Sequence, residues 1–333
     1  MQASGLVWSL YLPISNDHGF YSKKSEPYWG TKLKFIIAAR PFNPKSQGCV
    51  LLHKLAHTLN KVGHEAAILF FSGHGSATQW YWATDPTYYC VEYINIAFSS
   101  ASAFTRFKED AVMIYPEVIT GNPLGGNYVV RYMLNREGFI KSGVPMNSSH
   151  RDFILTHSYN YHRNPHFHLF NYNGSEFFNC NGTEEFYRRQ VDLTYIGKGS
   201  KYTNCSLING TQEVTRDWPK TKLELANLFK QTRYIYTWDV ATATVMDAIL
   251  CGVFPIYMTY APFSKDEVYN LIDLEIRIPE VTYLESLSPL SIYKLKEMAD
   301  FIGMTTKKIQ ESESNWEKNV YKFSLQLIEH FGL

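Results

Sequence analysis

The sequence predicts an α/β protein built as two doubly wound halves. Three observations predict it. Apolar runs of strand length recur along the chain, as in LKFIIAA at residues 33–39 and AAILFF at 66–71. Segments with a helical apolar repeat stand between such runs. The order strand, helix, strand then occurs in two separate stretches, which implies parallel sheets covered by helices. The length of 333 residues corresponds to about two domains.

The elements follow in chain order. After the run at 33–39 comes a loop rich in turn formers, RPFNPKSQG, ending at Gly48. The next segment, CVLLHKLAHTLNKVGHE, places Val50, Leu51, Leu55, Leu59 and Val62 at helical spacing and closes at Gly63. The run at 66–71 completes a βαβ unit. A strand is expected at Ala111–Tyr115, then the loop PEVITGNPLGG, then a helix from about Asn127 to Asn135 that closes near Gly138. FILT at 153–156 is the last strand of the first half or the crossing into the second. Residues 158–190, rich in Asn, Tyr, His and Gly, hold the crossing and the early loops of the second half.

The second half repeats the order. LTYIG at 193–197 is a strand that runs into the loop KGSKYTN, and KTKLELANLFK at 220–230 is an amphipathic helix. RYIYT at 233–237 is a strand, ATATVMDAILCG at 241–252 a helix closed by Gly252, and VFPIYM at 253–258 the next strand. The last 40 or so residues read as one or two helices, with Trp316, Val320, Phe323, Leu325 and Leu327 apolar. The expected boundaries are a first domain at 1–155, a second at 156–310 and a C-terminal helix at 311–333; residues 1–31 match no element.

Composition narrows the function. Hydrophobic residues make up 45% and charged residues 19%, enough for a sizeable core. A net charge of +1 speaks against a nucleic-acid partner, which calls for a basic face. The five cysteines form no CxxC pair, so neither a zinc ribbon nor a redox motif is expected. No metal site is expected, and the loop-borne histidines His157, His162, His166 and His168 lack supporting carboxylates. The N-terminus lacks a basic region followed by an apolar run, and no apolar stretch is long enough to span a bilayer, so a cytoplasmic location is expected. The five N-x-S/T sequons, at Asn147, Asn173, Asn181, Asn204 and Asn209, then follow from an Asn-rich composition.

In doubly wound sheets, ligands bind beyond the carboxyl ends of the strands, where helix N-termini offer free N–H groups to phosphates. Four loops qualify. Asn43–Gly48 opens a helix with a glycine that permits close backbone approach, without forming a dinucleotide or P-loop fingerprint. Pro116–Gly126 carries Glu117 just past a strand, placed to act as a base or hydroxyl acceptor, together with Asn122. Gly197-Lys198-Gly199 puts a cation after a strand, and Arg216 can add a second. Asp239 ends a strand, Thr242 lies in the first turn of the following helix, and Asp247 lies within it. A carboxylate beside Val245, Ala248 and Ile249 needs hydrogen-bond donors, such as a ribose diol. Each loop also has a purely structural reading: an ordinary turn, a solvated charge, or a helix cap at Asp239.

The segment YTWDVATATVMDAILCGVFP resembles the donor-site signature of retaining GT-B glycosyltransferases, in which two Glu separated by seven residues precede a small-Gly-x-Pro strand. Here both acids are Asp, at 239 and 247, with shorter reach. YPEVITGNPLGGNYVVRYMLNREG and YIGKG are similar to motifs of polysaccharide-assembly members of that group. The resemblance covers roughly residues 32–330. It implies two Rossmann-like domains facing across a cleft. The second would bind a nucleotide sugar, with Asp247 on the ribose, Asp239 on the transferred sugar, and Lys198, Gly199, Arg216 and Thr242 around the diphosphate. Gly48, Glu117 and Asn122 would face a glycan or lipid-linked glycan acceptor, and peripheral membrane contact is expected by analogy. No cofactor is implied, and the chain lacks a DxD tripeptide. Two alternatives stay open: another two-domain sugar-nucleotide enzyme, such as a non-hydrolysing epimerase, and a degenerate glycan-binding module.

Overall fold

In the computed structural model, which describes residues 31–333 apart from 84, 91, 94, 141–144 and 173–185, the first apolar run becomes strand β1 (Lys34–Ala39), buried from Phe35 onward. Ser46 caps helix α1 (Gln47–Lys61) by accepting the N–H of Cys49. The helix therefore begins one residue before Gly48, and this glycine lies inside its first turn. Gly63, at φ +101°, takes the left-handed conformation that lets the chain turn back into strand β2 (Glu65–Ser72). Short strands β3 (Gln79–Tyr81) and β4 (Ile96–Ala97), helix α2 (Ala101–Lys108) and strand β5 (Ala111–Pro116) follow. Strands β6 (Tyr128–Met133), β7 (Phe153–Thr156) and β8 (Phe167–His168) complete the sheet, whose order is β3-β2-β1-β5-β6-β7-β8 with β4 beside β2. All its pairings are parallel except β2 with β3. Phe35, Ile37, Leu51, Leu55 and Leu59 are fully buried, each contributing about 1.5–3 kcal/mol.

The expected helix at 127–135 is instead β6. Tyr128, Val129, Val130, Tyr132 and Met133 are β-branched, aromatic or long apolar residues that suit a strand buried on both faces. The loop at 117–127 supplies the whole parallel connection from β5 and contains no helix. Its carbonyls are held by Arg131, whose guanidinium is buried within the sheet.

The second sheet consists of strands β9 (Val191–Tyr195), β10 (Gln212–Glu213), β11 (Thr232–Thr237) and β12 (Phe254–Tyr257), all parallel in the order β10-β9-β11-β12. Helix α3 (Lys222–Lys230) starts in a capping box made by Thr221 and Glu224. Helix α4 (Ala243–Leu250) is capped by Thr242. Beyond β12 come helix α5 (Lys265–Tyr269), the hairpin β13 (Asn270–Leu271) and β14 (Ile276–Arg277), helix α6 (Tyr283–Ser286) and the long helix α7 (Ile292–Ser314).

The chain divides into two compact units. Unit 1 takes residues up to Thr156, 165–169 and 317–333; unit 2 takes 157–164 and 170–316. Helix α8 (Trp316–Phe331) lies in unit 1 from Glu317 onward, where Phe323 packs edge-on against Phe153 and Phe331 against Tyr128. Each unit is thus an α/β sheet with predominantly parallel strands, in agreement with the expected class.

Candidate functional site

Strand order fixes where each sheet can bind a ligand. In unit 2 the chain leaves β9 in one direction to form β10, then returns to the other side of β9 to form β11. The loops after β9 and β11 therefore part at a topological switch point, where a crevice forms beyond the strand ends. Those loops carry Gly197-Lys198-Gly199 and Asp239–Thr242.

The two loops are knitted together. Asp239 is 1% exposed, and its Oδ2 accepts the backbone N–H of Lys198 at 2.9 Å. The Lys198 ammonium lies 3.4 Å from the same oxygen and donates to the Ala241 carbonyl at 2.8 Å. Burial pushes the Lys198 pKa down, while the charge of Asp239 pulls it up. Both glycines are required by contact. A Cβ on Gly197, at φ +50°, would lie 2.4 Å from the Asp239 carboxylate, and one on Gly199 would lie 2.3 Å from the Trp238 carbonyl. Thr242 closes the loop by accepting the N–H of Thr244 at 3.3 Å. Arg216 is exposed, and its charge reaches both Lys198 and Tyr195.

Three tyrosines absent from the sequence reading surround Asp239. Burial first, then the charge of Asp239, push the phenol pKa values of Tyr195, Tyr202 and Tyr257 up. The Tyr195 hydroxyl is hydrogen-bonded to the side chains of Thr242 and Thr244. A tyrosine at the carboxyl end of each strand flanking β11, Tyr195 on β9 and Tyr257 on β12, was the signal that could have found this lining. The arrangement joins a buried carboxylate, two cations, a helix start and phenols at the carboxyl ends of β9, β11 and β12. It suits an anionic, hydroxyl-rich ligand.

Asp247 lies apart from that knot, in the middle of α4. Its Oδ1 accepts a short hydrogen bond from the Tyr172 hydroxyl, which also lies 3.3 Å from the Ala243 carbonyl. Burial pushes the Asp247 pKa up to about 7, while the Tyr172 hydrogen bond and the charge of Lys222 oppose the rise. The Tyr172 ring packs in an apolar cluster with Leu193, Ala226, Phe229 and Ala248.

In unit 1 the order β2-β1-β5-β6 puts the switch point between β1 and β5. Glu117 sits just past β5, buried, and accepts the Leu134 N–H at 3.2 Å and hydrogen bonds from Asn135. Burial pushes its pKa up to about 7. Leu134 also fills the space beside Gly48, 3.4 Å from where a Cβ would stand. Gly48 and Glu117 thus meet at one residue. Asn122 is taken up by its own loop: its Oδ1 accepts from Tyr115 and from the Gly126 N–H, and its Nδ2 donates to the Gly126 carbonyl. Arg131 and Asp152 form a buried ion pair at 2.7 Å that sequence reading missed. Arg131 also donates to the carbonyls of Ile119 and Gly121 and lies over the Tyr115 ring, anchoring the 117–127 loop.

Among the described residues no cluster of three potential metal ligands occurs, and no helix is long and apolar enough to cross a membrane. Of the sequons, Asn147, Asn204 and Asn209 are exposed, while Asn173 and Asn181 fall outside the described residues. No family model matches the sequence, and no curated protein matches it. Among solved structures, the chain is similar to the glycosyltransferase SnogD from Streptomyces nogalater, at TM-score 0.40 and 11% identity over 89% of this chain and all of that one. It is also similar to an alpha-glucosyltransferase in complex with UDP and a 13-mer DNA containing a HMU base, at TM-score 0.37 and 8% identity over 90% of this chain and 96% of that one.

Proposed function

We propose that the protein transfers a sugar from a nucleotide-sugar donor to a glycan or glycoconjugate acceptor, with the donor bound by unit 2. The observation that carries this reading is the switch-point knot of Gly197-Lys198-Gly199 on Asp239, next to the capped start of α4. Phosphate oxygens need positive charge and N–H donors, and these strand-end loops offer Lys198, Arg216 and a helix start, while Gly197 and Gly199 let the loop pack against Asp239 and Trp238. Asp239 holds the Lys198 loop in place and borders the transferred sugar, and Asp247 meets the ribose. When the diphosphate departs, the charge of Lys198 and Arg216 offsets the charge that develops, so this mechanism needs no metal. Glu117, Asn122 and Gly48 belong to the acceptor side, and a membrane-held acceptor would bring the protein to a membrane surface from the cytoplasm.

The test is a thermal-shift screen against nucleotide sugars, followed by transfer assays. A bound donor raises the melting temperature by mass action. Lys198→Met is expected to lower donor affinity about ten-fold or more, since one charge-assisted contact contributes about 1.5–3 kcal/mol, and its melting temperature without ligand is measured alongside, because Asp239 loses its cation. No stabilisation by any nucleotide sugar would sink the proposal.

A second reading is favoured by one observation: Glu117, Asp239 and Asp247 are all buried, and each already accepts a hydrogen bond from the protein. Such acids suit a binding module that has lost turnover. Donor affinity without hydrolysis or transfer to any acceptor would select it.

A further inference from the structure

Tyr172 lies 75 residues before Asp247 in the chain, yet its hydroxyl reaches the Asp247 carboxylate. The contact engages Oδ1, and Oδ2 receives no hydrogen bond from the described residues. Both residues are 8% exposed, so the pair lies just beneath the surface of unit 2. An aspartate is one methylene shorter than a glutamate, so where its carboxylate stands depends on what holds it. Tyr172 holds it with a rigid ring seated among Leu193, Ala226, Phe229 and Ala248.

We infer that Tyr172 is a positioning residue for donor binding: it pins Oδ1 of Asp247 so that Oδ2 meets a hydroxyl of the donor ribose. This rests on the proposed donor site. The hydroxyl of Tyr172 stands near two acceptors, Asp247 Oδ1 and the Ala243 carbonyl, but has one proton to give. With Asp247 ionised the proton goes to the carboxylate, which is the form that accepts from a ribose diol. Among the described residues, the charged and titratable groups that act on the pair are Lys222 on α3 and Cys251 at the end of α4, together with the two partners themselves. Removing the Tyr172 hydroxyl takes away a donor that holds the Asp247 pKa down, so the carboxyl protonates at higher pH.

The test uses the full chain and its Tyr172→Phe variant, which keeps the ring in its apolar seat. Binding of UDP, ADP, GDP and CDP, and of their 2′-deoxy and 3′-deoxy counterparts, is measured by calorimetry from pH 5.5 to 9. In the parent, one diphosphate is expected to bind about ten-fold more tightly than one of its deoxy forms, the worth of one hydrogen bond to a charged group. In Tyr172→Phe that preference is expected to disappear at pH 7 and to return toward pH 9, with the affinity midpoint moved to higher pH. A role confined to packing would lower the melting temperature and leave both the preference and the midpoint unchanged, overturning the inference. Diphosphate binding in the parent without ribose preference would overturn it while the sugar-nucleotide reading stands. Absence of any diphosphate binding would overturn both.

Discussion

At Asp239 a single carboxylate accepts the Lys198 N–H, faces the Lys198 ammonium and leaves no room for a side chain at Gly197. Asp239→Ala would leave a mostly buried ammonium beside an empty space, and breaking such a pair is expected to cost unit 2 about 3 kcal/mol in urea unfolding. Asp239→Asn keeps an acceptor for the N–H and is expected to cost about half as much. Equal losses in the two variants would show that the contact to the Lys198 N–H contributes nothing and that the lost charge beside the ammonium carries the whole effect. Gly197, Lys198 and Asp239 do meet at these strand ends, because strand-end loops are legible from apolar runs. Their partners were not legible. Nothing local signals that Gly199 lies against Trp238, since that contact joins loops about 40 residues apart in the chain.

Elements differ in how well their periodicity survives burial. Helices α1 and α3 announce themselves through an apolar stripe, as at Leu51, Leu55 and Leu59 or at Leu225 and Leu228, and the structure adds their caps at Ser46 and Thr221. Strand β6 does not announce itself, because it is buried on both faces and its run of Val129, Val130, Tyr132 and Met133 lacks alternation. Arg131 at its centre lies 1% exposed and ties the 117–127 loop to Asp152. Asp152→Ala, by leaving that guanidinium buried without its carboxylate, is expected to destabilise unit 1 by about 3–5 kcal/mol. Proteolysis within 117–127 should accelerate in step; an unchanged cleavage rate would show that the ion pair does not hold the loop. In unit 2, Gly199→Ala forces a Cβ against backbone and is expected to cost about 1–3 kcal/mol and to weaken nucleotide binding with it.

At the scale of the molecule, each unit holds, among the described residues, a buried carboxyl whose pKa is pushed up to about 7, Glu117 in unit 1 and Asp247 in unit 2. Both values lie above those of an unfolded carboxyl, near 4, so the folded protein binds more protons between about pH 4 and pH 7. Their contribution to stability is therefore complete below about pH 4 and is lost as pH rises through about 7. Denaturation midpoints at fixed salt are expected to fall across that interval, and Glu117→Gln is expected to flatten the fall for unit 1. A midpoint that rises steadily from pH 4 to pH 7 in both the parent and Glu117→Gln would show that these carboxyls are ionised in the fold. The sequence by itself determined the α/β class, most strands, several helices and the loops that follow the strands, because these follow from local apolar spacing and turn residues. Only the tertiary structure decided what the acids touch: Lys198 for Asp239, Leu134 for Glu117, Tyr172 for Asp247. The reason is physical. A buried carboxylate must find donors wherever the packed chain brings them, and those donors come from strands and loops far away in sequence.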